Sequence, residues 1–119
     1  MREIKFRAWD KNTKTLIRDV FVLTPGATII NGRGLAHDCV LMQYTGLKDK
    51  NGVEIYEGDI LQIVGGTMRA LATVRFDEGS FLVNNPVGGD LTLRDAQLIP
   101  HATIEIIGNI YEHKELLHG

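Results

Sequence analysis

The chain has 119 residues, of which 44% are hydrophobic and 24% charged; this fits one globular domain with its own core and excludes disorder of the whole chain. Lysine and arginine number 13 against 15 aspartates and glutamates, a formal net charge of -2, which argues against the simplest nucleic-acid binder, one whose affinity comes from a basic excess. One cysteine, Cys39, excludes an intramolecular disulfide and a four-cysteine zinc site.

Met1, Arg2 and Glu3 lead straight into a strand pattern. No secretory signal is legible, and no apolar run approaches the roughly 20 residues of a membrane-spanning helix. A cytosolic protein with no membrane partner is therefore expected. Ile4, Phe6 and Ala8 alternate with Lys5, Arg7 and Trp9, the period-two signal of a half-buried strand. Asp10 to Lys14 reads as a turn, because Asp and Asn side chains hydrogen-bond their own backbone. Leu16 to Leu23 follows as a hairpin partner. Thr24 to Asp38, with Pro25, Gly26, Gly32 and Gly34, reads as a long loop.

Cys39 to Tyr44 is an apolar strand. Asn51-Gly52 predicts a tight connection with positive φ at both central residues. Glu57-Gly58-Asp59 predicts a second turn that launches a buried strand over Ile60 to Val64, ended by Gly65-Gly66. Thr67 to Phe76 has the cleanest alternation. Met68, Ala70, Ala72, Val74 and Phe76 share one face; Arg69, Leu71, Thr73 and Arg75 share the other. Asp77 to Ser80 turns the chain into Phe81-Leu82-Val83. Asn84 to Asp90 reads as a surface loop. Leu91 to Ile99 fits either a strand or a short helical turn. Ile104 to Tyr111 is a last strand with Gly108 marking a bulge, and Glu112 to His118 suits one or two helical turns. Close-spaced strands between glycine-rich turns predict a mostly β fold. The expectation is an antiparallel small-barrel or sandwich-like single domain over residues 1–119, with long loops and a short C-terminal helical turn.

Reactive constellations are not legible. His37, His101, His113 and His118 lack zinc-ligand spacing, and no nucleophile elbow or phosphate-binding loop is present. His37 and Cys39 would share a strand face, so a nucleophilic pair is conceivable, but a turn followed by a buried thiol is the favoured reading. Asp49, Glu54, Glu57 and Asp59 gather on two turns, where carboxylates can hold a divalent cation or act as acid and base. Lys48 and Lys50 interleave with them, and a turn-forming role is favoured. No catalytic residue, cofactor or metal is assigned. Lys5, Arg7, Trp9, Arg69 and Arg75 form a candidate nucleic-acid face, combining phosphate contact with stacking; a solvated sheet face, with Trp9 over one end of the core, is favoured instead.

Three segments carry a further signal. They are Ile4-Lys5-Phe6-Arg7-Ala8-Trp9-Asp10, then Gln43 to Gly52 followed by Ile55-Tyr56-Glu57-Gly58-Asp59-Ile60, and finally Ile106 to Glu112 with Leu116-Leu117. Together, and in this order, they resemble the YopX family of phage and prophage proteins. Tyr56, Glu57, Gly58 and Asp59 match the family's most recognisable motif. The resemblance implies a mostly β protein encoded by a phage or prophage and acting in the bacterial cytoplasm; it supplies no reaction. The leading expectation is a non-enzymatic accessory or self-assembling module whose partner is a host or phage protein or a second copy of the chain. A small-barrel nucleic-acid binder is the alternative, and a carboxylate- or metal-dependent enzyme stands third.

Overall fold

The computed structural model describes residues 5–24, 27–30, 39–65, 68–77, 79–85, 89–99 and 101–117. His37, Asp38, Gly66, Pro86, Gly88 and His118 lie outside the described residues, as do Pro25, Gly26, Gly32 and Gly34. The His37–Cys39 pairing and the glycine content of the first loop fall there too. The described chain is mostly β, with two five-stranded antiparallel sheets.

The first sheet comprises β1 (Phe6–Asp10), β2 (Thr15–Thr24), β3 (Ala27–Ile30), β4 (Cys39–Lys48) and β5 (Glu54–Tyr56), in the order β3-β2-β1-β4-β5. The second comprises β6 (Asp59–Gly65), β7 (Met68–Asp77), β8 (Ser80–Asn85), β9 (Gly89–Thr92) and β10 (Ala102–Asn109), in the order β10-β6-β7-β8-β9. A short helix, α1 (Leu93–Gln97), joins β9 to β10, and a 3-10 turn at Lys114–Leu117 follows.

Two expected loops contain strands. Part of Thr24 to Asp38 folds back as β3, pairing Phe21 with Ile29. Of Asn84 to Asp90, Asn84 and Asn85 end β8 while Gly89 and Asp90 open β9, and Asn84 pairs with Asp90. Glycine and proline mark chain reversals well, but they do not show whether the flanking residues pair. The ambiguity over Leu91 to Ile99 resolves into both alternatives in series, a strand ending at Thr92 and then α1. Thr92 stops the strand because its hydroxyl accepts the Asp95 N–H at 3.1 Å, satisfying an orphan donor of the first turn. Leu93 and Ala96 then bury one helix face.

The main core lies on the second sheet. Ile55, Leu61, Ile63, Val74, Val83 and Ile104 pack there with Leu93 of α1, and each fully buried aliphatic side chain contributes about 1.5–3 kcal/mol. Ile55 belongs to the first sheet, so this core spans both. A smaller cluster joins Ala8 and Val20 to Phe6, Ile17 and Cys39.

The Asn51-Gly52 turn departs from expectation. Only Gly52 has positive φ, at +80°. The Gly52 N–H donates to the Asp49 carbonyl at 3.0 Å, which centres the turn on Lys50-Asn51 and leaves Gly52 as the left-handed residue after it. Asp49 decides this geometry, because its carboxylate accepts the Asn51 and Val53 N–H groups. The same turn covers the outer edge of β10: Ile106 N–H donates to Asp49 Oδ2 at 3.1 Å, and Lys50 N–H donates to the Ile104 carbonyl at 2.9 Å. An uncovered strand edge is a pairing template, and here the first sheet closes one edge of the second. The expected bulge is present, with β10 slipping against β6 between Ile106 and Gly108.

Candidate functional site

The seam between the sheets holds most of the charged residues singled out by sequence. Arg7 lies on β1, the central strand of its sheet, and Asp59 opens β6. Arg7 Nη2 reaches Asp59 Oδ1 at 2.7 Å and the Glu57 carbonyl at 3.3 Å. The guanidinium also lies 4.7 Å from the Tyr56 ring centroid, a cation–π distance. The other carboxylate oxygen, Asp59 Oδ2, accepts the Tyr56 N–H at 2.8 Å. Burial pushes the Asp59 carboxyl above its ordinary range, while the Arg7 charge and the Tyr56 N–H pull it back. Among the described residues, Arg7 Nε is a buried nitrogen without a hydrogen-bond partner.

Gly58 makes this turn sterically possible. Its φ is +84°, and a Cβ there would stand 3.1 Å from Met42 Sδ and 3.5 Å from Tyr111 Cε2. Glu57 points the other way along the turn, its Oε1 accepting the Gln43 N–H at 2.8 Å. The Tyr56 to Asp59 motif therefore ties β4, β1 and β6 together. Beside it, Lys5 pairs with Glu54, whose other oxygen accepts the Tyr56 hydroxyl at 3.4 Å. The Lys5 hydrogen bond, outweighing burial, holds the Glu54 carboxyl below its usual range. Burial, with the Glu54 charge, raises the Tyr56 hydroxyl.

The far side of the seam is set by Asn109, the last residue of β10. Its side-chain oxygen accepts the N–H groups of Tyr111 and Glu112, and its own N–H donates to His113 Nδ1 at 3.1 Å. This knot places the Tyr111 ring against Trp9, with centroids 5.6 Å apart and planes 20° from parallel. A cleft of about 170 Å³ opens along the seam. Its apolar wall includes Leu16, Val53 and Ile106, and its charged lining includes Arg7, Arg18, Glu54 and Glu112.

These placements bear directly on the sequence-based candidates. Asp49, Glu54, Glu57 and Asp59 are each tied to a backbone N–H or a cation. No three His, Cys, Asp or Glu side chains among the described residues gather as a metal-ligating set. The five residues of the candidate nucleic-acid face are dispersed. Arg7 is 4% and Trp9 9% exposed, because β1 is covered on both faces; its alternation predicts only one covered face. Lys5 pairs with Glu54, and Arg75 pairs with Asp77 at 3.0 Å. Arg69 is exposed on β7, in the other sheet. Arg18, Asn109 and Glu112 were not among the candidate site residues read from sequence, although Asn109 and Glu112 fall in the last family-like segment. Asn109 had a legible signal, since an Asn ending a strand before polar residues suits a side-chain-to-backbone turn. Arg18 had none, and Glu112 had only its place in the family-like segment.

The family model of YopX protein matches residues 22–118. The SPbeta prophage-derived uncharacterized protein YopX of Bacillus subtilis (strain 168) is 31% identical over 71 residues, which are 57% of this chain and 53% of that protein; the chain thus spans about half the length of that curated relative. Among solved structures, protein EF1440 from Enterococcus faecalis is similar, with 30% identity, a TM-score of 0.73 and coverage of 98% of this chain and 99% of that one. Protein yopX from Bacillus subtilis shares the fold, with 20% identity, a TM-score of 0.66 and coverage of 94% and 96%. Among the described residues, no helix is long and apolar enough to cross a membrane.

Proposed function

We propose that this chain, which belongs to the YopX protein family, is a phage or prophage accessory protein that works by binding rather than by catalysis. One observation carries the reading: the carboxylates that would have to serve an active site are engaged in building the fold. Asp59 is held by Arg7 and the Tyr56 N–H, Glu57 by the Gln43 N–H, and Asp49 by three backbone N–H groups. A catalytic acid or base must be able to reach and exchange a proton with substrate, and these oxygens face their own chain. A relative in the same family carries a prophage-derived name, which supports the phage or prophage origin and, with it, action inside the bacterial cell. We extend the reading to a single folding unit over residues 1–119 that associates with a host or phage protein or with itself.

The test is capture of the tagged chain from phage-infected bacteria, with and without nuclease, together with light scattering of the purified protein. A protein that stays bound after nuclease, or a mass above one chain over a wide concentration range, supports the reading. Nucleic acid retained by the purified chain in a salt-sensitive manner, and lost when Arg69 and Arg75 become alanine, would replace it with the nucleic-acid alternative.

A further inference from the structure

The end of β10 is held by one imidazole. His113 Nδ1 accepts the Asn109 N–H at 3.1 Å, while the His113 N–H donates to the Asn109 carbonyl at 2.9 Å. The ring lies against Gly108, where a Cβ would stand 2.7 Å from His113 Cγ and Nδ1. Glycine at the bulge thus leaves the space that the imidazole fills. A nitrogen that accepts a hydrogen bond carries no proton, so the neutral ring holds its proton on Nε2. The contact therefore has a protonation requirement that a carbonyl acceptor would lack. A second proton on Nδ1 turns the acceptor into a donor, which then meets another donor, the Asn109 N–H. Asn109 is 6% exposed, and a buried N–H left unmet is costly. His113 itself is half-buried rather than sealed from solvent.

Asn109 is also the hub of the segment that follows. Its Oδ1 accepts the Tyr111 and Glu112 N–H groups, and its Nδ2 donates to Glu112 Oε1 at 3.1 Å. Through Tyr111 the knot reaches the ring of Trp9. The Leu116 N–H donates to the His113 carbonyl at 3.0 Å, which ties the 3-10 turn to the same residue. Gly108, Asn109 and Glu112 are among the residues lining the cleft.

We propose that His113 is a pH-sensitive latch: with Nδ1 unprotonated it fastens Asn109 and the segment from Ile110 to Leu116 to the end of β10, and protonation swings the ring off Gly108 and frees that segment. The latch is closed above the pH range in which histidines gain a proton and opens as pH falls through it. Opening shifts Tyr111 against Trp9 and moves Asn109 and Glu112 at the cleft. Other charged groups bear on the same place. On its own segment His113 stands between Glu112 and Lys114, with Glu115 beyond. From β6, Asp59 pairs with Asn109 in register, is held by Arg7, and has its carboxyl raised by burial. From the turn before β6, the Glu57 charge reaches Tyr111. Asp59 is thus the rival source of a pH response here. The latch operates whether or not the chain captures a macromolecule.

Trp9 is the one tryptophan of the chain, so tryptophan fluorescence reports its stack with Tyr111. The full chain, isotope-labelled, is titrated from about pH 8 to about pH 5, and the imidazole nitrogens, the Asn109 amide and the fluorescence are followed together. The expected result is a His113 ring protonated on Nε2 alone at the alkaline end, and one midpoint shared by the ring, the Asn109 amide and the fluorescence. His113→Asn puts an amide oxygen in the place of Nδ1 and gains no proton in this range. Its amide spectrum at the alkaline end should match that of the folded wild type, and its fluorescence should stay flat across the titration. A neutral ring with its proton on Nδ1 would overturn the proposal whether or not the variant folds. So would a wild-type fluorescence that does not change, or separate midpoints for the ring and the stack. A response that persists in His113→Asn would also overturn it, and would assign the titration to Asp59 or to another histidine.

Discussion

The guanidinium of Arg7 meets the carboxylate of Asp59 at 2.7 Å across the seam, with the two side chains only 5% and 2% exposed. Two charges so far from water are held by each other and by their remaining hydrogen bonds. Removing either partner leaves the other charged in a medium that solvates it poorly.

Arg7→Met is therefore expected to destabilise the protein by about 3–5 kcal/mol, and Asp59→Leu by a similar amount. The double variant should recover a large part of that loss, because no unpaired charge remains. Urea unfolding of the four proteins closes the cycle. Additive single losses would show that the two side chains act independently.

Asp49 gives the clearest pH dependence. Burial pushes its carboxyl up, but the N–H groups of Ile106, Val53 and Asn51, with the Lys50 charge, together hold it below the ordinary value of 3.8. A lowered folded-state value means that the unfolded chain binds the proton more readily. The stability it contributes is present above pH 3.8 and lost as pH falls through the lower folded-state value. Asp59 runs the other way, since its folded-state value is raised: the contribution of its titration is present below 3.8 and lost as pH rises through that higher value. Asp49→Asn should thus flatten the acid limb of a stability–pH curve, measured by denaturant unfolding at successive pH values.

Gly108 sits under His113. A Cβ built on Gly108 would stand 2.7 Å from His113 Cγ and Nδ1, so the imidazole must move and release the Asn109 N–H. Gly108→Ala is expected to cost about 1–3 kcal/mol, the range for leaving a buried donor unpaired or overpacking a site. The Trp9–Tyr111 stack should loosen with it, read as a change in tryptophan fluorescence. His113→Ala removes the two ring contacts but keeps its own Cβ, 2.9 Å from the added methyl, so it should relieve only part of the cost of the Gly108 substitution.

Gly58→Ala combines a left-handed backbone with a crowded site. Positive φ costs an L-residue about 1–2 kcal/mol, and Met42 Sδ at 3.1 Å from the new Cβ must give way. Thermal unfolding should show a larger loss than Gly52→Ala, where φ is +80° but nothing lies within 4 Å. The difference between the two isolates the crowding.

Local chemistry was legible and long-range pairing was not. The strands over 6–10, 59–65 and 68–77, the turn at Glu57-Gly58 and the bulge at Gly108 follow from alternation, Asx chemistry and glycine. β3 was missed because a four-residue strand between glycine-rich segments carries too little alternation to stand out. At the seam, Arg7 and Asp59 were both singled out, but for different roles. Nothing local shows that two residues 52 positions apart will meet, nor that both faces of β1 are covered. Arg18 and Glu112 acquire meaning only from the cleft they share.

The amino-acid sequence by itself thus determined the β-rich class, the positions of most reversals and the family, because each depends on neighbouring residues or on motifs taken in order. Only the tertiary structure decided that Arg7 is a buried partner rather than a surface cation, that Asp49 closes the edge of β10, and that Arg7, Arg18, Glu54, Asp59 and Glu112 line one cleft. Those outcomes depend on which strands become neighbours, and strand order is set by burial of the whole core rather than by any one segment.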